Sequence, residues 1–513
     1  MRTPVVEAYS MATSCAAQTM SCGAHGRRSL PEPFLGVALR AKMPGMQQRK
    51  PKRDDRLEVE VERVDERGLG VGRAEHESGE YRVALRRALP GERVAAQVLR
   101  RRGNKIEGRL LEVLRASADR TSPPCRHYGS CGGCALQDMS YAAQLATKRE
   151  ICERALAAEL VKVDVEPVIG SAAALRYRNK MDFTFGTRRW VEPGEAEGVQ
   201  RDFALGLHPR EQFRKVLDVE ACEIQPQPFD AILASARRIA LEQGLRAWDL
   251  VKHEGLLRHV VLRRSVATGE ILMQLTTSSE APELVGPYVA ALLAAHPEVT
   301  TLVQAINSRG ATVAMGEREL VLHGSGSIRE RLAGLWYRVS AASFFQTNTA
   351  QAEKLVEVTL EEARLSGSER VLDLYCGAGT LTLPLARHTA HVHGVELVEA
   401  AVSDARRNAE ENGIGNVTFS AGDVLAWFGS AGAIECDVAV VDPPRAGLHP
   451  KVVELLARIP ARRMVYVSCH IGSAARDIAA LAPAGWRATR ARPVDLFPQT
   501  PHVECVLSLE RAP

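Results

Sequence analysis

Val371-Leu-Asp-Leu-Tyr375-Cys376-Gly377-Ala378-Gly379-Thr380 organises the C-terminal part of this chain. Val371 to Tyr375 is an apolar run broken by one acid and reads as a buried strand. The glycines behind it allow a tight turn into a helix over Leu381 to Arg387, where backbone can approach a ligand. Alone, a Gly-x-Gly turn is weak evidence, but the continuation strengthens it. Val392 to Val395 forms a second strand ending on Glu396, an acid placed to accept hydrogen bonds from both ribose hydroxyls of a nucleoside. A helix with Val398, Ala401, Val402, Ala405 and Ala409 on one face stops at Asn412-Gly413. Val417 to Ser420 is a third strand, followed by Asp423, which could bind an adenine amino group. Val438 to Val441 is a fourth and runs into the rigid lip Asp442-Pro443-Pro444-Arg445. This βαβαβ alternation predicts a Rossmann-like α/β domain over residues 341–513. Thr380 and Leu381 follow Gly379, so the dinucleotide pattern G-x-G-x-x-G is not met. That points away from a nicotinamide and toward S-adenosylmethionine.

Further on, Met464-Val-Tyr-Val-Ser-Cys469-His470 reads as a fifth strand with a thiol at its carboxyl end, where open parallel sheets collect reacting groups. A plain alternative is a buried cysteine closing a core strand. Asp495-Leu-Phe-Pro-Gln-Thr-Pro-His-Val-Glu504 leads into a last strand, Cys505 to Leu509. Glu504 is either an edge residue or, if near Cys469, a general base.

Toward the N-terminus, residues 53–115 carry five short strand patterns, beginning with the strict alternation Leu57-Glu-Val-Glu-Val61 and spaced by glycines and a proline. They predict an OB-like barrel with a basic loop, Arg100 to Lys105, suited to a phosphate backbone or to a solvated hairpin tip. Cys125, Cys131 and Cys134 follow as C-x5-C-x2-C with Gly129, Gly132 and Gly133 among them. Three such thiols call for a metal or an iron–sulfur cluster with a fourth ligand. Spacing leaves Cys152, on a helix predicted from Tyr141 to Leu160, and Cys222 both open. Residues 116–340 otherwise read as an α+β central region. Tyr177-Arg-Asn-Lys180 and Leu257-Arg-His259 could line a nucleic-acid groove or form solvated edges. Ser343-Phe-Phe-Gln-Thr-Asn348 precedes a helix predicted over Thr349 to Ala363.

The whole chain has 513 residues, 45% hydrophobic and 25% charged, which predicts a multidomain globular protein. Its net charge of +4 says little about partners. No apolar run reaches the roughly 18 residues of a membrane helix. Eleven unevenly spaced cysteines argue for reduced thiols and a cytoplasmic location rather than a disulfide framework. Residues 1–52 read as a tail or over-extended start, with Met43 or Met46 as alternative initiators.

Together these motifs resemble the bacterial 23S ribosomal RNA uracil-C5 methyltransferases that carry a TRAM domain, from about residue 55 to the end. The resemblance implies a TRAM barrel and a [4Fe-4S] cluster on Cys125, Cys131, Cys134 and Cys222. It implies S-adenosylmethionine contacts from Gln346, Tyr375, Glu396 and Asp442, with Asp423 as a further candidate. Cys469 would be the nucleophile and Glu504 the base. Ribosomal rather than transfer RNA is expected, because the family's transfer-RNA relatives lack the TRAM and cluster segments. A monomer with no membrane partner is expected. One departure is His470-Ile471, where the family usually has Asn-Pro. Two other readings are an amino-methyltransferase acting on a purine, and an RNA-binding assembly factor with a vestigial methyltransferase fold.

Overall fold

The computed structural model describes residues 49–511 apart from 193, 311, 312, 431 and 433. Nearly all of the expected tail, with Met43 and Met46, therefore lies outside the described residues. Alternation dictates the first unit. Leu57, Val59 and Val61 point inward from β1 (Arg56–Val64), while Glu58 and Glu60 point out. With β2 (Gly70–His76), β3 (Gly79–Leu85), β4 (Arg93–Arg102) and β5 (Lys105–Arg115) it closes a five-stranded barrel in the order β1-β2-β3-β5-β4. Closure leaves no sheet edge open to a foreign strand. The basic stretch expected as a loop is strand for most of its length: Arg100 to Arg102 end β4, Lys105 begins β5, and only Gly103 and Asn104 turn the chain. β-propensity and cross-strand pairing carry the arginines to the hairpin tip, where Arg101 is bonded to Pro51 and Gly103 carbonyls.

α1 (Tyr141–Ala158) follows the cysteine-rich loop. Beyond it, β6 (Lys180–Gly186), β7 (Arg189–Trp190), β8 (Ala204–Leu207), β9 (Val216–Asp218), β10 (Leu257–Arg264), β11 (Ile271–Thr277), β12 (Val299–Ile306) and β13 (Arg318–His323) make an eight-stranded mixed sheet. α2 (Gln227–Glu242) and α3 (Pro282–Ala295) share its apolar core. Of the two basic stretches expected to line a nucleic-acid groove or form solvated edges, the second is buried, and the first is bonded inside the protein through Tyr177 and Asn179 while Arg178 and Lys180 stay half-buried. Asn179 donates to the Gln346 carbonyl and to Thr349 Oγ1, and the Tyr177 hydroxyl donates to the Pro498 carbonyl. Arg258 and His259 are buried on β10, Arg258 donating to the Asn307 and Arg309 carbonyls. Polar groups with bonded partners inside the protein cost less there than a pattern of charge alone suggests.

The hairpin β14 (Ser327–Leu332) and β15 (Leu335–Ser340) leads to α4 (Thr349–Ala363), which Asn348 caps through the Gln351 N–H. Then come β16 (Arg370–Leu374), α5 (Thr382–Ala386), β17 (His391–Glu396), α6 (Glu399–Glu411), β18 (Val417–Ala421), α7 (Val424–Ser430), β19 (Val438–Val441), α8 (Pro450–Leu456), β20 (Arg463–Ser468), α9 (Ile471–Leu481), β21 (Trp486–Val494) and β22 (Glu504–Arg511). The sheet order is β18-β17-β16-β19-β20-β22-β21, with β22 antiparallel to both neighbours. Helices cover both faces, α4, α5 and α6 on one, α1, α7, α8 and α9 on the other. Burial on both sides is why β16, β19, β20 and β22 are mostly apolar, whereas the outer strands β18 and β21 carry polar residues. α1 and the β14–β15 hairpin, grouped by sequence with the central region, thus pack into the C-terminal sheet.

One contact ties the regions together and carries a prediction. Lys148 of α1 is fully buried and paired with Asp495, and it also donates to the Phe497 carbonyl at 3.0 Å. Asp495 further accepts from the Tyr141 hydroxyl at 2.8 Å. Lys148→Met should strand a buried carboxylate and cost about 3–5 kcal/mol. Urea denaturation followed by far-UV circular dichroism measures it; a loss under about 1 kcal/mol would refute the structural role of the pair.

Candidate active site

β20 and β22 pair antiparallel, with Val467 opposite Val506 and Ser468 opposite Cys505. Carried one position further, this register sets Cys469 against Glu504 at the sheet's carboxyl edge. Their charges act on each other: burial pushes the Cys469 thiol well above its ordinary range, Glu504 and Asp442 add to that, and Arg445 opposes it. Glu504 is 4% exposed. Burial, then Asp442, push its carboxyl up to about 8, again against Arg445. β19 pairs in parallel with β20 as far as Val441 and Tyr466, so Asp442 leaves the sheet at the same edge.

The residues expected to hold the methyl donor lie at the ends of β16 and β17 and near them. Glu396 is buried and accepts from the Gly377 N–H at 3.1 Å and the Val398 N–H at 2.9 Å. Burial outweighs those two bonds and raises its carboxyl. Tyr375 takes a left-handed backbone, φ 66°, to turn the strand into the glycine loop, an unusual conformation for a bulky residue. Asp442 is pushed up to about 7 by burial and Glu396. Asp423 uses Oδ1 to cap α7, accepting from Leu425 and Ala426 N–H groups. Gln346 stands apart: its carbonyl is held by Asn179, and its side chain bonds none of the other candidates.

Sequence reasoning passed over Asp373. It sits fully buried in β16, pushed up to about 7 by burial, with Oδ2 accepting from Thr382 and Oδ1 without any partner. An acid between Leu372 and Leu374 in a core strand was the available signal. Among the described residues Asp373, Glu396, Asp442 and Glu504 make no ion pair, and of the four only Glu504 feels a nearby cation, Arg445. S-adenosylmethionine carries a sulfonium and an ammonium, and the residues fit it.

A second group lies beyond the site. Burial holds Cys131 and Cys222 up to about 12 and Cys134 up to about 11, and Cys125 is raised too. Cys131, Cys134 and Cys222 each feel others of the set, Cys125 acting on all three, whereas Cys152 lies in the C-terminal core beside Cys505. Gly132 is needed where the loop passes the His208 carbonyl, since a Cβ would approach it to 2.9 Å. Among the described residues no three His, Cys, Asp or Glu side chains are arranged to hold a metal ion. Past Cys134, the Ala135 and Leu136 N–H groups donate to the Gln499 carbonyl at 2.9 and 3.0 Å, joining this loop to the segment that ends at Glu504.

Residues 365–475 match the family model of a methyltransferase domain. An uncharacterized RNA methyltransferase of Chlorobaculum tepidum is 41% identical over 434 residues, 82% of this chain and 90% of that protein. Another, from Halalkalibacterium halodurans, is 37% identical over 463 residues, 89% and 97% of the two chains. This chain belongs to the RNA methyltransferase family. Among solved structures, a tRNA (uracil-54, C5)-methyltransferase of Pyrococcus abyssi in complex with S-adenosyl-L-homocysteine matches with a TM-score of 0.67 and 27% identity. The match covers 88% of this chain and 99% of the other. No helix among the described residues is long and apolar enough to cross a membrane.

Proposed function

We propose that this RNA methyltransferase moves the methyl group of S-adenosylmethionine to C5 of a uridine through a covalent Cys469–C6 adduct. The observation that carries the reading is the β20–β22 register, which sets a thiol beside a buried carboxyl at the edge where the donor-binding acids converge. Uracil C5 is too weak a nucleophile to take a methyl group unaided. Cys469, its thiol proton lost to solvent and its thiolate favoured by Arg445, adds through Sγ to C6, and the C5–C6 π electrons move toward the C4 carbonyl, making C5 nucleophilic. S-adenosylmethionine, when bound, supplies an electrophilic methyl on a sulfonium leaving group. After C5 has taken the methyl, Glu504 removes the C5 proton, the C5–C6 double bond reforms, and Cys469 leaves as thiolate. Burial suits Glu504 to this, since a carboxylate titrating near 8 is a stronger base than an exposed one. Arg445, electrostatically coupled to both groups, favours their charged forms. A target uridine in folded RNA must leave its stack to reach Cys469.

On this reading the barrel is a TRAM domain whose Arg100–Lys105 hairpin tip meets RNA phosphates. Cys125, Cys131, Cys134 and Cys222 would hold a [4Fe-4S] cluster with a structural role, since no step of the mechanism needs an electron. The influence of Cys125, Cys134 and Cys222 on Cys131 and the glycine-lined loop support this. The purine amino-methyltransferase reading is less well supported: Arg445 stands where its lip needs a stacking aromatic, and Cys469 would have no task. Ribosomal 23S RNA is the target the motifs suggest, and the solved neighbour gives transfer RNA equal standing. The purified protein, incubated with labelled S-adenosylmethionine and either RNA, should yield 5-methyluridine on nuclease digestion and chromatography. Label found only in methylated purines would overturn the proposal.

A further inference from the structure

We propose that His470 is a positioning residue that couples the nucleophile's turn to the Asp442–Arg445 lip through Ser473, resting on the uracil-C5 reading above. His470 follows Cys469 directly and is the N-cap of α9, with extended backbone, φ −148° and ψ 93°. Its Nδ1 accepts from the Ser473 N–H at 3.2 Å and lies 3.0 Å from Ser473 Oγ. A histidine cap works only while Nδ1 is an unprotonated acceptor, which places the proton of the neutral ring on Nε2. Gly472 makes room for the ring: a Cβ there would sit 3.3 Å from His470 Cε1.

Ser473 carries the connection onward, since its hydroxyl lies 2.9 Å from the Arg445 carbonyl. Arg476 donates to the Ala446 carbonyl at 2.8 Å, and Asp477 accepts from the Leu448 N–H at 2.7 Å. Gly447 lets the lip come this close; a Cβ there would meet Arg476 and Asp477 at 2.5 Å and Ser473 at 2.9 Å. The first two turns of α9 thus hold the lip, and His470 sets where α9 starts. Arg445 is the cation that acts on both Cys469 and Glu504. Displacing its backbone changes the charge seen by nucleophile and base without touching either.

Protonation would break the link. A protonated Nδ1 donates instead of accepting, and its charge opposes the positive end of the helix dipole. The charged and titratable groups facing the ring are Arg445 from the lip, Arg476 from α9, Glu66 from the β1–β2 turn and His502 from the segment before β22. Burial and the two arginines lower the His470 pKa, Glu66 opposing them, so the cap survives at neutral pH and fails in acid. Activity should carry an acid limb below the ordinary histidine range.

The test measures kcat, KM and their pH dependence for methyl transfer to RNA by the full-length protein, with thermal melting as control. His470→Ala should lower kcat about tenfold with KM little changed, the size of a lost cap. His470→Asn, which caps without titrating, should restore kcat at neutral pH and lose the limb below the ordinary histidine range, keeping the rise near 8 that belongs to Glu504. Ser473→Ala keeps the backbone N–H that His470 caps but cuts the hydroxyl bond to the lip, and it should lower kcat like His470→Ala. It also covers the case in which the alanine variant at 470 fails to fold. Wild-type kcat in a folded His470→Ala or Ser473→Ala, or an unchanged acid limb in His470→Asn, would overturn the inference. A wild-type protein that makes no 5-methyluridine would instead refute the uracil-C5 reading itself, so the two failures are distinguishable.

Discussion

Cys469→Ala is expected to abolish 5-methyluridine formation, a loss of about four orders of magnitude or more, because no other group can supply the electrons that activate C5. The same change should end covalent capture of RNA carrying 5-fluorouridine. Fluorine at C5 leaves no proton for the base to remove, so the wild-type adduct forms, takes the methyl and stays bound as a gel-shifted complex. The variant should still bind S-adenosylmethionine, because the acids proposed to hold it, Asp373, Glu396 and Asp442, are set by β16, β17 and β19 and not by the thiol. Retained turnover in Cys469→Ala would return Cys469 to the plain role of a core cysteine. It would also revive the purine reading, which needs no thiol.

Glu504→Gln should fail one step later. The thiol can still add and the methyl can still transfer, but the C5 proton has no acceptor, so the enzyme should accumulate as an adduct with ordinary RNA. Turnover should fall about 10²–10⁴-fold, the usual worth of a positioned base. In the wild type, turnover should rise with pH through about 8 as Glu504 ionises. The variant should lack that limb. Stability runs the opposite way. A carboxyl raised in the folded state binds more protons there than in the unfolded chain, so ionising it is destabilising. Glu504 thus supports the fold at low pH, and this is lost as pH climbs from about 4.3, the unfolded value, toward 8. Glu504→Gln should flatten the melting temperature across that range. Unchanged pH profiles of both turnover and melting would remove Glu504 as the base.

Much of this was legible because local chemistry and global fold agree. Val371 to Leu374 and Val438 to Val441 are short, mostly apolar runs ending before a glycine turn and Asp442-Pro443, and these and Val392 to Glu396 form the strands expected of them. The Thr349–Ala363 helix matches its prediction because Asn348 caps it and nothing breaks it. The alternation at Leu57 to Val61 likewise foretold a strand of the barrel. Less legible were residues whose role depends on a distant partner. Arg178 neighbours and Arg258 carry charge patterns of a solvated edge, yet their segments are bonded inside the protein. Asp373 and Lys148 read as ordinary residues of a strand and a helix until burial shows one unpartnered oxygen and one inter-regional ion pair.

The sequence by itself determined the kinds of groups available: a glycine turn for a nucleoside, acids at strand ends, a thiol after Ser468, and clustered cysteines. Strand periodicity and turn chemistry are local, so one sequence suffices to read them. The tertiary structure alone decided that β22 inserts antiparallel between β20 and β21. That pairing brings Glu504 to Cys469 across 35 positions of chain, a distance no local pattern encodes. It also decided that His470 is a helix cap bonded to Ser473, whose hydroxyl reaches the lip. Register and capping depend on where separate segments meet, and only the packed fold fixes those meetings.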